Sequence, residues 1–360
     1  MFPSLLLLAE LATSPAIAAD FAFGYFDFAS SPSFAYLEVT QSAHPDDYWQ
    51  SYASWTELST GRIEVRVSDL GGAGGVMFLN PYPVTSARAY CQVEGTWQDG
   101  SDEVLQFACY DRFSGLPAGA TGFFTYVRHG VWSNPAPLAA AATLVADHPT
   151  SASYVPSTSY NSRGGVNRVT RTGTGTWRAF LPSMTSGGVP LVQGYGTDAT
   201  WCKVSEFHTS SAGTSVGVRC MDASGGLVDA SFALAWVSGA GLLSADNPVA
   251  APGEAWGFFD DPTITTTTNL PRSYNSLERG PVSAWPTSYG GFYVDASYTG
   301  GCGYFNHAYL QTAVGDDAVW CYTGPGSCYY ESHGPSGTVC YDSTSATVDS
   351  SFTWMLVTDR

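Results

Sequence analysis

Trp201-Cys202-Lys203-Val204 and Val216-Gly217-Val218-Arg219-Cys220-Met221-Asp222 decide the fold. Two runs rich in valine, each carrying a cysteine, flank a Ser/Thr/Gly stretch. That pattern predicts two antiparallel strands closed by a long hairpin loop and tied to each other by a disulfide. It occurs three times: Cys91 and Cys109 stand 18 residues apart, Cys202 and Cys220 also 18, and Cys321 and Cys340 19. An aromatic residue precedes the first cysteine of each pair (Tyr90, Trp201, Trp320), and an aspartate follows the second at plus two (Asp111, Asp222, Asp342). The expected bridges are therefore Cys91–Cys109, Cys202–Cys220 and Cys321–Cys340, leaving Cys302 to pair with Cys328.

Outward from the cysteines the copies keep agreeing. Gly24-Tyr25-Phe26-Asp27 matches Gly257-Phe258-Phe259-Asp260, with Leu144-Val145-Ala146-Asp147 in the same place, and Ser159-Tyr160-Asn161-Ser162 recurs as Ser273-Tyr274-Asn275-Ser276. Phe232-Ala233-Leu234-Ala235-Trp236-Val237 alternates large and small side chains as a half-buried strand does. No window has a capped helical period. The expected organisation is a signal peptide at 1–19, repeats at 20–130, 142–240 and 255–360, and linkers at 131–141 and 241–254. The alanine-rich Pro137–Val145 stretch is read as linker running into the second copy. Each copy has the size of a β-sandwich, so the expected fold is all-β: three tandem disulfide-stapled sandwiches of jelly-roll or immunoglobulin-like form. A six-bladed β-propeller with two blades per repeat is the alternative.

Composition fits this organisation. Charged residues make up only 12%, glycine (39) and proline (21) are plentiful, and 44% hydrophobic residues suffice for buried cores. The apolar run Leu5–Leu8 followed by Ala16-Ile17-Ala18-Ala19 fits a secretory leader, so a secreted, extracellular protein with disulfides is expected. No stretch is long and apolar enough to predict membrane insertion by a helix. A net charge of −17 argues against nucleic acid as a partner, because a uniform negative field repels phosphate backbones.

Motifs with chemistry are weak. Gly213-Thr214-Ser215-Val216-Gly217 matches a nucleophile elbow but lies inside the cysteine hairpin with no helix to follow. The six histidines lack metal-ligand spacing, and the only lysine, Lys203, follows Cys202 instead of a glycine-rich phosphate loop. The pairs Asp46-Asp47, Asp260-Asp261 and Asp316-Asp317 are expected to make Asx turns; calcium is the one cofactor they suggest. Trp177, Trp201, Trp236, Trp320 and Trp354 sit at strand positions and are expected in cores. Trp97, Asp99 and Asp102 of copy one, and Tyr329, Tyr330, Glu331 and His333 of copy three, fall between paired cysteines. Aromatic faces beside carboxylates suit sugar rings, which makes Trp97, Asp99, Asp102, Tyr329, Tyr330 and His333 the candidate ligand-binding residues. Tyr48, Trp49, Tyr52 and Trp55 crowd a second aromatic segment.

The Arg171-Thr172-Gly173-Thr174-Gly175-Thr176-Trp177 strand entry, Cys202-Lys203-Val204, Val218-Arg219-Cys220-Met221-Asp222 and Val228-Asp229-Ala230-Ser231-Phe232 together resemble a disulfide-containing repeat module of secreted actinobacterial and myxobacterial proteins. The resemblance spans residues 142–237 well and the outer copies loosely, and it carries no catalytic residues. The Thr-Gly-Thr-Gly-Thr-Trp entry is also similar to the start of jelly rolls in C1q-like and phage-tail heads, which are binding heads. The expected function is a secreted, non-enzymatic binding or adhesive protein for a glycan or cell-surface polymer, its repeats adding avidity. A secreted carbohydrate-active hydrolase or lyase with loop-borne carboxylates, and a structural envelope or matrix component, are the alternatives.

Overall fold

A computed structural model describes residues 20–28, 36–41, 53–82, 89–128, 140–239, 253–276, 281–287, 291–296, 307–324, 336–342, 344 and 346–358. The signal-peptide residues 1–19 lie outside them, as do Cys302 and Cys328.

Copy one forms β1 (Asp20–Asp27), β2 (Tyr36–Gln41), β3 (Ala53–Ser59), β4 (Arg62–Val67), β5 (Val76–Tyr82), β6 (Ala89–Asp99), β7 (Asp102–Asp111) and β8 (Thr121–Arg128). Copy two forms β9 (Ala140–Ala146), β10 (Ser153–Tyr154), β11 (Ser159–Asn161), β12 (Arg168–Gly173), β13 (Thr176–Pro182), β14 (Val189–Tyr195), β15 (Thr200–Ser210), β16 (Gly213–Asp222) and β17 (Ser231–Ser238). Copy three forms β18 (Gly253–Phe259), β19 (Thr268–Asn269), β20 (Arg272–Asn275), β21 (Ser283–Pro286), β22 (Phe292–Asp295), β23 (His307–Val314), β24 (Trp320–Gly324), β25 (Ser336–Tyr341) and β26 (Ser351–Thr358). The described chain contains no helix, so the fold is all-β, and each copy is a sandwich of two sheets.

In every copy one sheet is built on the same four strands: β2-β1-β8-β5, β11-β9-β17-β14 and β20-β18-β26-β23. The facing sheet holds the cysteine ribbon: β3-β4-β7-β6, β10-β12-β13-β16-β15 and β19-β21-β22-β25-β24. The three ribbons carry the three expected disulfides, Cys91–Cys109, Cys202–Cys220 and Cys321–Cys340. Their Cα atoms stand 3.9, 4.0 and 3.9 Å apart on directly paired positions.

Two sequence readings need correction. The long hairpin loops of copies one and two are strand: β15 and β16 pair down to Ser210 and Gly213, and β6 and β7 down to Asp99 and Asp102, leaving two-residue turns, while that of copy three lies outside the described residues. Gly100-Ser101 is itself a hairpin-turn signal, and Gly100 at the first central position takes the left-handed φ of +67° that such a turn requires. The alanine-rich stretch is likewise not linker from Ala140 onward. It is β9, a strand between β11 and β17 with all seven residues buried. A strand covered on both faces loses the polar alternation that marks strands in sequence.

The second cover explains the arrangement of the copies. The cysteine sheet of copy one joins β14 of copy two by a parallel bridge, Val93 to Tyr195, and that of copy two joins β23 of copy three at Val204–Val314. In both joints a bulge follows the bridging residue, and the joint adds one further backbone bond, Gly196 N–H to Val93 O at 2.7 Å or Gly315 N–H to Val204 O at 3.1 Å. On the third side β24 packs against β5, and β5, β14 and β23 also touch one another. The copies therefore form a closed pseudo-three-fold ring with those three strands at its axis. Copies one and two each enclose a sandwich core. A further cluster runs from Phe23, Phe78 and Phe123 through Val145, Leu191 and Ala235 into the core of copy three around Trp354. The expected sandwiches are present, and they share sheets.

The motif of the second copy has a structural role. Arg171 grips Asp229 at 3.0 and 2.7 Å, and Asp229 also accepts from Gly175 N–H at 2.8 Å. The arginine holds the Asp229 carboxyl below the usual carboxylate range. Gly175, at φ +64°, lies where a Cβ would come within 2.7 Å of Val228 N, so only glycine fits this turn.

Candidate functional site

The axis brings equivalent residues together. The aromatic residues before each first cysteine, Tyr90, Trp201 and Trp320, gather with Ala108, Tyr110 and Met221 in one cluster. Tyr90 stacks on Tyr110 at 5.6 Å between ring centroids and Trp320 on Tyr341 at 5.4 Å. Trp320 and Tyr322 are half-buried, while Tyr90 and Trp201 are buried.

In copies one and two the residue after the first cysteine spans to the next copy. Gln92 donates to Gly196 O at 2.6 Å and accepts from Thr200 N–H at 3.1 Å. Lys203 occupies the same place in copy two and donates to Asp317 O at 2.7 Å and Val319 O at 3.2 Å. Below them the edge strands are stitched by side chains. Gln193 accepts from Leu79 N–H at 3.0 Å and donates to Cys91 O at 2.7 Å, and Thr312 bonds both Val192 N–H (3.0 Å) and Val192 O (3.2 Å). These groups are buried, so each bond replaces a backbone desolvation that would otherwise stand unpaired.

Between these layers lies a cavity of about 80 Å³. Its wall carries Tyr90, Trp201, Trp320, Arg112, Lys203 and Gln193, and it touches the first cysteine of all three bridges. Arg112 and Lys203 are only 3% and 2% exposed, yet no carboxylate is part of the lining. Arg112 breaks the pseudo-symmetry. Arg112-Phe113 replaces the single Ala223 of copy two and Ser343 of copy three, and its guanidinium lies over the Trp320 ring and 5.4 Å from the centre of Trp201. Burial pushes the Lys203 ammonium down to about 8 and raises the Tyr90 hydroxyl above its ordinary value. That hydroxyl is buried without a hydrogen-bond partner.

The aspartates at plus two ring this end of the axis, each turned to its own loop. Asp111 accepts from Ser114, Asp222 from Ser224 and Gly226, and Asp342 from Thr344 and Ala346. These bonds hold all three carboxyls below the usual range.

Of the sequence-derived ligand residues, Trp97, Asp99 and Asp102 end the β6–β7 ribbon. Trp97 is 40% exposed, and Asp99 pairs with Arg66 at 2.6 Å. Tyr329, Tyr330, Glu331 and His333 lie outside the described residues, as do Tyr48, Trp49 and Tyr52, while Trp55 packs on Phe28. Trp177, Trp236 and Trp354 are core residues. Ser215 of the elbow-like motif sits within β16, paired with Phe180 and His208. Asp261 makes an Asx turn to Thr263, and Asp316 pairs with Arg219; Asp46-Asp47 is outside the described residues. Among the described residues no three His, Cys, Asp or Glu side chains gather as a metal site, and no helix is long and apolar enough to cross a membrane. The axial residues Arg112 and Tyr90 were missed in the sequence, where the insertion at Arg112-Phe113 was the available signal. No family model, curated protein or solved structure matches this chain.

Proposed function

We propose that the chain is a secreted, non-enzymatic binding or adhesive protein whose ligand is a glycan or cell-surface polymer. The observation that carries this reading is Trp97. It stands exposed on a fully paired ribbon, whose backbone is already ordered, and beside the Asp99–Arg66 pair. An aromatic face with fixed polar neighbours suits stacking on a sugar ring while its hydroxyls are bound, and a rigid platform loses little entropy on binding. Three disulfides accord with an oxidising compartment. A glycan array with polysaccharide pull-down, run beside reducing-sugar and unsaturated-product assays, tests it. Retention without turnover supports binding, turnover replaces it with the carbohydrate-active alternative, and neither leaves the envelope or matrix role.

A further inference from the structure

The axial cavity is a second place where the chain meets the requirements of a ligand site, and it does not depend on the glycan reading. Cations and a hydroxyl line it, and no carboxylate is part of the lining. Arg112 and Lys203 bring two cations, and Tyr90 brings a hydroxyl that is buried without a partner. Lys203 uses two of its three N–H bonds on Asp317 O and Val319 O, leaving one. Carboxylates act on these groups from outside the lining, Asp111 and Asp222 on Tyr90, Asp342 with Arg112, and Asp316 and Asp317 on Lys203; Asp111, Asp222 and Asp342 are bonded to their own turns, and Asp316 pairs with Arg219. A buried hydroxyl without a partner costs free energy until something accepts its proton.

We propose that this cavity binds a small free carboxylate, held by the Tyr90 hydroxyl and the Arg112 guanidinium in the field of Lys203, with its carbon skeleton against Trp201 and Trp320. An anion supplies the acceptor that the Tyr90 hydroxyl lacks, and charge-assisted bonds are the strong ones. Size selects the source. A cavity of about 80 Å³ holds on the order of six water-sized positions, which suits an acid of about six non-hydrogen atoms. The net charge of −17 also keeps polyanionic chains away.

The test uses the full chain with lactate and pyruvate at constant ionic strength, and lactamide as the neutral counterpart. Tryptophan fluorescence and melting temperature are both followed. Wild type is expected to respond saturably to the acids with a dissociation constant on the order of 1 mM, as suits so small a ligand, and not to lactamide. Tyr90→Phe removes a buried hydroxyl that has no hydrogen-bond partner, so without ligand it should melt at or above the wild-type temperature, and it should bind about tenfold more weakly. Arg112→Met keeps apolar contact with the two tryptophans and should abolish the response. Glycan retention should be unchanged in both variants, which separates this site from the Trp97 ribbon. An equal response to lactamide, no saturation up to roughly 100 mM, wild-type binding by either variant, or a lower melting temperature for ligand-free Tyr90→Phe would each overturn the proposal.

Discussion

The ammonium of Lys203 donates at 2.7 Å to the carbonyl of Asp317, so the only lysine in the chain joins the second copy to the third. Burial lowers it from 10.5 to about 8. Between those values the unfolded chain binds a proton that the folded chain does not, and stability must rise with pH across that window. The full shift corresponds to about 3 kcal/mol. Tyr90 and Tyr126 oppose it at the upper end: burial raises both, so their contribution is lost as pH climbs past the unfolded tyrosine value of about 10. Urea midpoints should therefore increase from pH 7.5 to 9.5 in wild type and stay flat in Lys203→Met. A rising profile in the variant would assign the effect to another group.

Gln193 should be a stability residue through its hydrogen bonds. Its side chain satisfies Leu79 N–H and Cys91 O across the joint between copies one and two. Gln193→Ala leaves both unpaired and should cost about 2–4 kcal/mol, measured by denaturant unfolding.

The ring also predicts how the protein unfolds. Residues 140–239 alone would expose the sheet face carrying Val189, Leu191, Ala233, Ala235 and Val237, all buried in the complete chain. Sedimentation of that fragment should show self-association, whereas the full chain should lose far-UV and tryptophan signals in one shared transition.

Trp97→Ala should reduce glycan retention by about 1–3 kcal/mol and leave the melting temperature near wild type, since the side chain is substantially exposed. Unchanged retention would remove the ribbon from the binding surface.

Non-reduced peptide mapping should recover the three bridges described above, and Cys202→Ala with Cys220→Ala should cost about 3 kcal/mol in the chain-entropy model. The same map decides whether Cys302 pairs with Cys328.

How much of this was legible can be followed residue by residue. Cysteine spacing revealed three copies and their bridges because a disulfide between facing strands fixes register. The aspartates at plus two registered the copies, and their Asx turns give the reason for their recurrence. The ring was not legible. Its evidence lies in strands such as β9, buried on both faces, and in Gln92, Gln193 and Thr312, whose partners are backbone groups more than a hundred residues away. The end of the ribbon was half legible: Trp97 was expected between the paired cysteines, where it lies, but its surroundings were read as loop because the sequence between the cysteines is largely polar.

Arg112 has a consequence for stoichiometry. In a homotrimer every axial residue appears three times, and an arginine there would set three guanidinium groups around one small space. At about 6 Å each pair would repel by roughly 3 kcal/mol at an effective dielectric constant near 20. Linking the copies covalently lets one of them carry the charge while the other two have Ala223 and Ser343 at the corresponding places in sequence. An odd cation on the axis thereby becomes tolerable, and the chain offers one axial acceptor site per molecule where its repeat number alone would imply three.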